Sequence, residues 1–395
     1  MTDLYTQAVD LHKVNIGKLD VFSRVKVNDK HDLSLVYTPG VAQVCREIVN
    51  DPDKGFELTW RGRTVGIVSD GSAVLGLGNI GALAGLPVME GKALILSRFA
   101  GVTAVPLMMD VHAEEEIVQL VKAVAPTYGA INLEDIAAPI CFAVEDALQD
   151  IGIPVFHDDQ HGTAIVVAAA LRNAAKLVGK KYEELNVVIS GSGAAGIGIA
   201  QLLLGLDRVN GQFIQQKRLS KVRNIILVDS KGIVNKSRTD LNRYKLALAR
   251  ISNKNGKSGD LIEAMRGADV LIGVSKGGIV TSEMVAHMAN NAIVLAMANP
   301  DPEIMPEDAK KGGARIVGTG RSDLANQINN SLAFPGIFKG ALEARAKRIT
   351  IAMQIAASEA LSSFGNPTEN AILPDMFESK LVDIIASAVK GAYVQ

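Results

Sequence analysis

Short apolar runs alternate with stretches of helical periodicity along most of this 395-residue chain. In the first half, runs of strand length lie at 64–69, 93–96, 102–109, 130–133 and 153–156. Between them, 113–124 and 139–148 repeat apolar residues at the spacing of one helix face. Strand alternating with helix predicts a parallel sheet covered on both faces. The pattern resumes with apolar runs at 185–190, 224–229, 269–274, 293–297 and 315–318. It turns helical from Lys339 onward, broken at Gly365-Asn366-Pro367. Ahead of the first run, residues 1–30 read as one or two short helices with a polar loop over 26–30. Pro39-Gly40 marks a turn into a helix over 41–49, so Tyr37 stands just before a helix start. The run 164–171 is far too short to span a bilayer and reads as part of a buried helix over 163–178, with Thr163 as its candidate cap.

The residues that follow the strands change the picture. Asp70-Gly71, Asp110, Glu134-Asp135 and Asp158-Asp159 each close an apolar run. In parallel sheets, ligands bind beyond the carboxyl ends of the strands, so these acids are expected to face one cleft. A single aspartate at such a turn ordinarily caps the next helix, and that is the reading for Asp70 and Asp110. The doublets differ. A cap uses one carboxylate, and a second beside an apolar strand costs energy unless a cation is present. Several carboxylate oxygens suit Mg²⁺ or Mn²⁺ rather than Zn²⁺. His157 and His161 are spaced like a zinc helix motif, but Pro154 before them and Gly162 after them predict a strand end and turn, not the helix that motif needs. Lys92 lies at the edge of an apolar strand or helix. A lone lysine there is ordinarily a solvated one, and partial burial would draw its pKa toward that of a working base.

In the second half, the run 185–190 enters Gly191-Ser192-Gly193-Ala194-Ala195-Gly196, and small residues continue as a helix. Framed by strand and helix, this GxGxxG predicts a dinucleotide site, with the pyrophosphate on the helix N-terminus. Asp229, ending the next strand, is the candidate partner for the ribose hydroxyls. The polar insertion 207–223 stretches the usual spacing. An acid there favours NAD, while Ser230 and Lys231 leave NADP open. Asn299 and Asn330 stand at strand or turn ends as amide donors, although asparagine there is ordinarily a turn former.

Length favours two domains. The expected organisation is α/β: an N-terminal parallel-sheet domain for substrate and metal over 1–160, a Rossmann-type doubly wound dinucleotide-binding domain over 161–335, and a helical segment over 336–395. Net charge is −1 and aromatics are 4%, which argues against a nucleic-acid partner. Cys45 and Cys141 are too few for a disulfide framework and point to a reducing, cytoplasmic setting. The first fifteen residues lack the apolar core of a signal peptide, and no membrane partner is expected.

Taken together, YTPGVA (37–42), SDGSAVLGLGNIGALAGLPVMEGKA (69–93), INLEDIAAP (131–139), FHDDQHGTA (156–164), GSGAAGIG (191–198), ANPDPE (298–303) and NNSLAFPG (329–336) resemble the malic enzyme family in its short bacterial form. The resemblance spans about 37–338. It implies oxidative decarboxylation of malate to pyruvate with reduction of NAD or NADP, dependent on Mn²⁺ or Mg²⁺, in a homodimer. It implies that Glu134, Asp135 and Asp159 bind the metal, that Lys92 is the general base oriented by Asp158, and that Tyr37 is the general acid. Asn299 and Asn330 would hold substrate. Gly191, Gly193, Ala194, Ala195, Gly196 and Asp229 would hold the cofactor, with Asn299 beside it. Larger family members carry an arginine just after the first Asp-Gly, where Ser72-Ala73-Val74 stands here. A malolactic lyase on the same scaffold and a metal-independent amino-acid dehydrogenase are the competing activities.

Overall fold

Two parallel sheets carry the chain in the computed structural model, which describes residues 4–74, 76–209, 211–216 and 219–394. The first holds β1 (Thr64–Ser69), β2 (Thr103–Met108), β3 (Ala130–Leu133) and β4 (Val155–His157), in the order β2-β1-β3-β4. All its pairs are parallel. β1 and β3 are buried along their whole length, as expected where helices cover both faces. The register runs Val68–Leu133–His157, so Glu134 and Asp158, which follow β3 and β4, leave the sheet at one level and on one edge, beside Ser69 at the end of β1.

The remaining strands are β5 (Asn186–Ser190), β6 (Leu206–Val209), β7 (Gln212–Gln215), β8 (Asn224–Asp229), β9 (Gly232–Ile233), β10 (Val270–Gly273), β11 (Ala292–Ala296) and β12 (Ala314–Thr319). Their sheet is ordered β12-β11-β10-β5-β8-β9, with β6 and β7 forming a separate antiparallel hairpin. Only the short β9 runs antiparallel to its neighbour within the larger sheet. The strand order reverses at β5, which puts the glycine loop at the switch point of a doubly wound fold. In the first sheet the same reversal falls at β1.

The helix Thr163–Leu177 joins the two sheets, and 11 of its 15 residues are buried, so it belongs to the core. Ile351–Ser363 packs along it, and Asn173 Nδ2 donates to the Ile372 carbonyl at 2.8 Å. Gly336 and Gly340 let the helix Phe334–Glu343 press onto Leu381–Gly391. A Cβ at Gly340 would sit 2.5 Å from the Ala386 carbonyl oxygen.

Two expectations change. Residues 93–96 are not a strand: Gly81–Ile95 is one helix running on into Leu96–Ala100. Apolar residues on every face of that helix, with only Glu90 and Lys92 charged, erased the periodicity that would have marked it. Thr163 caps nothing. A helical turn over Asp158–Gly162 feeds directly into the long helix, leaving no free N-terminus there. The first helices, Leu4–Asn15, Lys30–Val36 and Val41–Asn50, bury no residue at all, despite their apolar content. Cys45 and Cys141 are free thiols. No helix among the described residues is long and apolar enough to cross a membrane.

Candidate active site

The acidic doublets at the ends of β3 and β4 meet. Glu134, Asp135 and Asp159 each offer a carboxylate oxygen, all within 4.8 Å of one another. Asp135 is held at a φ of +53°, uncommon for a residue with a side chain, and its N–H donates to Asp159 Oδ2 at 2.9 Å. Asn132 Nδ2 donates to Glu134 Oε2 at 2.9 Å and fixes that carboxylate from within β3. Behind the trio, Lys92 Nζ reaches Glu134 Oε1 at 3.0 Å and bonds Asp158 Oδ2. Lys92 lies in the last turn of Gly81–Ile95 and packs its ammonium over the Phe334 ring, 4.8 Å from the centroid. Gly162 is required beside this pair, since a Cβ there would fall 1.7 Å from Asp158 Oδ1.

Burial pushes Glu134, Asp135 and Asp159 above the ordinary carboxylate range; the charge of Asp159 adds to this at Glu134 and Asp135, and the charge of Asp158 adds to it at Asp159. Asp158 rises to about 6, because burial outweighs the pull of Lys92. Burial would lower Lys92, but Asp158 and Glu134 overcome it and hold the ammonium well above the usual lysine range. Asp135 Oδ2 and Asp158 Oδ1 are buried with no hydrogen-bond partner among the described residues. A trio of carboxylates that resists ionising, with an orphaned oxygen, fits a hard divalent cation bound through oxygen.

In front lies a cleft of about 570 Å³, lined by Ser72, Ala73, Asp135, Asp159, Gly193, Ala194, Ala195, Asn299, Asn329 and Asn330 among others. It thus joins Asp135 and Asp159 to the glycine loop, while Glu134, Lys92 and Asp158 stand behind them and are not among its lining residues. Gly191 does not line the cleft. At φ +114° it turns the chain against the Val274 carbonyl, and a Cβ at Gly196 would strike the Gly191 carbonyl at 1.9 Å. These are the tight-turn and close-packing roles of a dinucleotide loop. Asn329 is tied up by the Ser331 N–H, whereas Asn330 faces the cleft.

Other sequence expectations meet different fates. Tyr37 is 67% exposed and is not among the residues lining the cleft. Asp70 caps no helix: its carboxylate takes the Ser72 N–H and hydroxyl at 3.0 and 2.7 Å and faces His112 Nδ1 at 2.8 Å. Asp110 is exposed. His157 and His161 do not converge: His157 is buried at the strand end, and His161 Nε2 bonds Glu145 at 2.8 Å. Asp229 stands at the end of β8, but Arg238 and Lys245 already engage both its oxygens, at 2.8 and 2.9 Å. Burial raises its pKa, and those two cations more than reverse that. No arginine or lysine lines the cleft among the described residues. Asn210, Lys217 and Arg218 of the 207–223 insertion lie outside the described residues. Sequence reasoning missed Asn132, His112 and Arg208. Only Asn132, inside a fully apolar strand two places before Glu134, carried a readable signal.

The profile described as "Malic enzyme, N-terminal domain" matches residues 16–149, and "Malic enzyme, NAD binding domain" matches 160–392. A bifunctional malic/malolactic enzyme of Bacillus subtilis is 48% identical over 397 residues, covering 99% of this chain and 93% of its own. An NAD-dependent malic enzyme of Geobacillus stearothermophilus is 49% identical, covering 95% and 76%. The crystal structure of an NAD-dependent malic enzyme from Thermotoga maritima superposes with a TM-score of 0.91 at 47% identity, over 99% of this chain and 100% of that one.

Proposed function

The chain belongs to the malic enzyme family, and from that premise we propose how its residues divide the oxidative decarboxylation of malate to pyruvate and CO₂. The carrying observation is Lys92 Nζ lying 3.0 Å from Glu134 and bonded to Asp158, directly behind a trio of oxygen ligands. Glu134, Asp135 and Asp159 hold Mn²⁺ or Mg²⁺. When bound, the metal supplies Lewis acidity to the substrate's hydroxyl oxygen and to the charge that develops as CO₂ leaves. Lys92 would take the hydroxyl proton in the oxidation, for which a bound nicotinamide would supply the hydride acceptor. The metal-free cluster keeps that amine protonated. Neutralising Glu134 and Asp159 with a dication removes part of the pull, and Asp158 then orients the amine.

Gly193, Ala194 and Ala195 place the cofactor's pyrophosphate at the start of the helix Ala194–Leu203, and Asn299 and Asn330 donate to substrate from the cleft wall. NAD is the expected cofactor, with NADP accepted. Asp229 is drawn toward Arg238 and Lys245, which weakens it as a ribose acceptor and leaves cations where a 2′-phosphate would lie. The units 1–160, 161–335 and 336–395 serve as substrate/metal domain, cofactor domain and helical buttress.

Tyr37 protonates the enolate carbon. It stands outside the lining of this chain's own cleft, so we assign it to the cleft of a second copy and take the enzyme to be a cytoplasmic homodimer. The arm's fully unburied helices, with Tyr5, Phe22, Leu35 and Tyr37 exposed, support that assembly. With Ala73 in place of an arginine, the distal carboxylate falls to the cleft asparagines and helix N-termini or to a residue of a second copy.

The test is malate-dependent formation of reduced nicotinamide with Mn²⁺ and with a chelator. Reduction that needs the metal supports the reading; reduction that survives chelation removes the metal from it. The Bacillus subtilis relative favours a second reading, conversion to lactate with the cofactor retained. Lactate without net reduction would select it.

A further inference from the structure

The turn that carries Asp158 and Asp159 is gripped from the cofactor half of the molecule. Arg208 sits on β6, in the polar insertion between the glycine-loop helix and β8. Its guanidinium is buried, with Nε donating to Asp146 Oδ1 at 2.7 Å, Nη1 to Gln160 Oε1 at 2.9 Å, and Nη2 to Glu145 Oε2. Glu145 in turn holds His161 Nε2 at 2.8 Å. Gln160 and His161 directly follow Asp159, and Gln160 is fully buried. On its other side, Gly198 of the glycine-loop helix backs onto the turn so closely that a Cβ would lie 2.3 Å from the Gln160 carbonyl oxygen.

Two of the three prongs pair with the carboxylates Glu145 and Asp146 of the helix Ile140–Leu148. The third carries no charge to balance. It runs to the residue next to Asp159, and an arginine fork fixes direction as well as distance. We infer that Arg208 is a positioning residue for the metal carboxylates. It pins the Asp158–Gly162 turn so that Asp159 faces Glu134 and Asp135 while Asp158 faces Lys92. The inference rests on the metal reading above.

Three variants separate the two: Arg208→Lys, which keeps the charge but not the fork; Gln160→Met, which cuts the third prong and leaves no carboxylate unpaired; and Asp159→Asn as reference. Mn²⁺ binding is measured by electron paramagnetic resonance of the free ion, alongside NAD⁺ affinity and kcat at rising Mn²⁺. Arg208→Lys and Gln160→Met are expected to weaken Mn²⁺ by about 10- to 100-fold, with NAD⁺ affinity held and kcat returning at saturating Mn²⁺. That recovery is not what general damage to the fold would give. Wild-type Mn²⁺ affinity in these two, with loss in Asp159→Asn, overturns the role of Arg208. Unchanged affinity in Asp159→Asn overturns the metal reading and the inference with it. If Arg208→Lys does not fold, Gln160→Met decides alone.

Discussion

Replacing Lys92 with methionine removes the cation that bonds Asp158 and Glu134 while keeping most of the side-chain volume against Phe334. At 3.0 Å, Lys92 and Glu134 attract by about 5 kcal/mol at an effective dielectric near 20, before desolvation is counted. Taking one partner from such a buried pair costs about 3–5 kcal/mol. Here that cost depends on pH. Burial already holds Glu134 above its ordinary value and Asp158 at about 6, and both rise further once the ammonium is gone. Acids whose folded pKa exceeds the unfolded one stabilise the fold while protonated, and that stability is lost as pH rises through the folded pKa. The metal-free variant should therefore melt close to wild type at pH 6 and about 5–10 °C lower at pH 8.5. Turnover should fall by about 10²- to 10⁴-fold, the usual share of a general base, while Mn²⁺ and NAD⁺ still bind. Thermal melts at both pH values and a malate-dependent rate check this. A variant that keeps more than a tenth of kcat, or loses the same stability at both pH values, refutes the reasoning.

The metal-free wild type should itself lose stability from the ordinary carboxylate range near about pH 4 up to about pH 9, because burial raises Glu134 to about 7, Asp135 to about 9 and Asp159 above its usual value. Saturating Mn²⁺ should flatten that slope, and melts with and without Mn²⁺ across the range decide it. Gly162→Ala places a Cβ 1.7 Å from Asp158 Oδ1, so it should expel that carboxylate from Lys92 and cut kcat by at least about tenfold, with NAD⁺ binding intact. A variant with wild-type kcat would show that Asp158 need not touch the amine. Asp229→Asn releases Lys245 and one edge of Arg238, which stays paired with Asp240 at 2.8 Å, so kcat/KM for NADP⁺ relative to NAD⁺ should rise by about tenfold or more. An unchanged ratio would place the 2′-phosphate elsewhere.

The acids at strand ends were readable because strand and turn residues are local features, and parallel register then brings Glu134 and Asp158 to one edge. The glycine loop was readable for the same reason. Lys92 was half-legible. Its chemistry fitted, but the uniformly apolar helix around it gave no period to distinguish helix from strand. Arg208 was illegible, since a polar insertion looks like a solvated loop until its guanidinium is seen buried among Glu145, Asp146 and Gln160. Asp229 likewise read as a free ribose partner, because Arg238 and Lys245 lie 9 and 16 residues away and only the fold brings them to it. Tyr37 was legible only through the motif that carries it, because the fold leaves it 67% exposed and outside the cleft lining.

The most direct test is a crystal soaked with Mn²⁺ and read by anomalous scattering at the metal edge. The account predicts a single strong peak among the carboxylates of Glu134, Asp135 and Asp159, with the Lys92 amine beside it and the cleft open toward Gly193. A peak elsewhere, or none at a concentration that supports turnover, would contradict it.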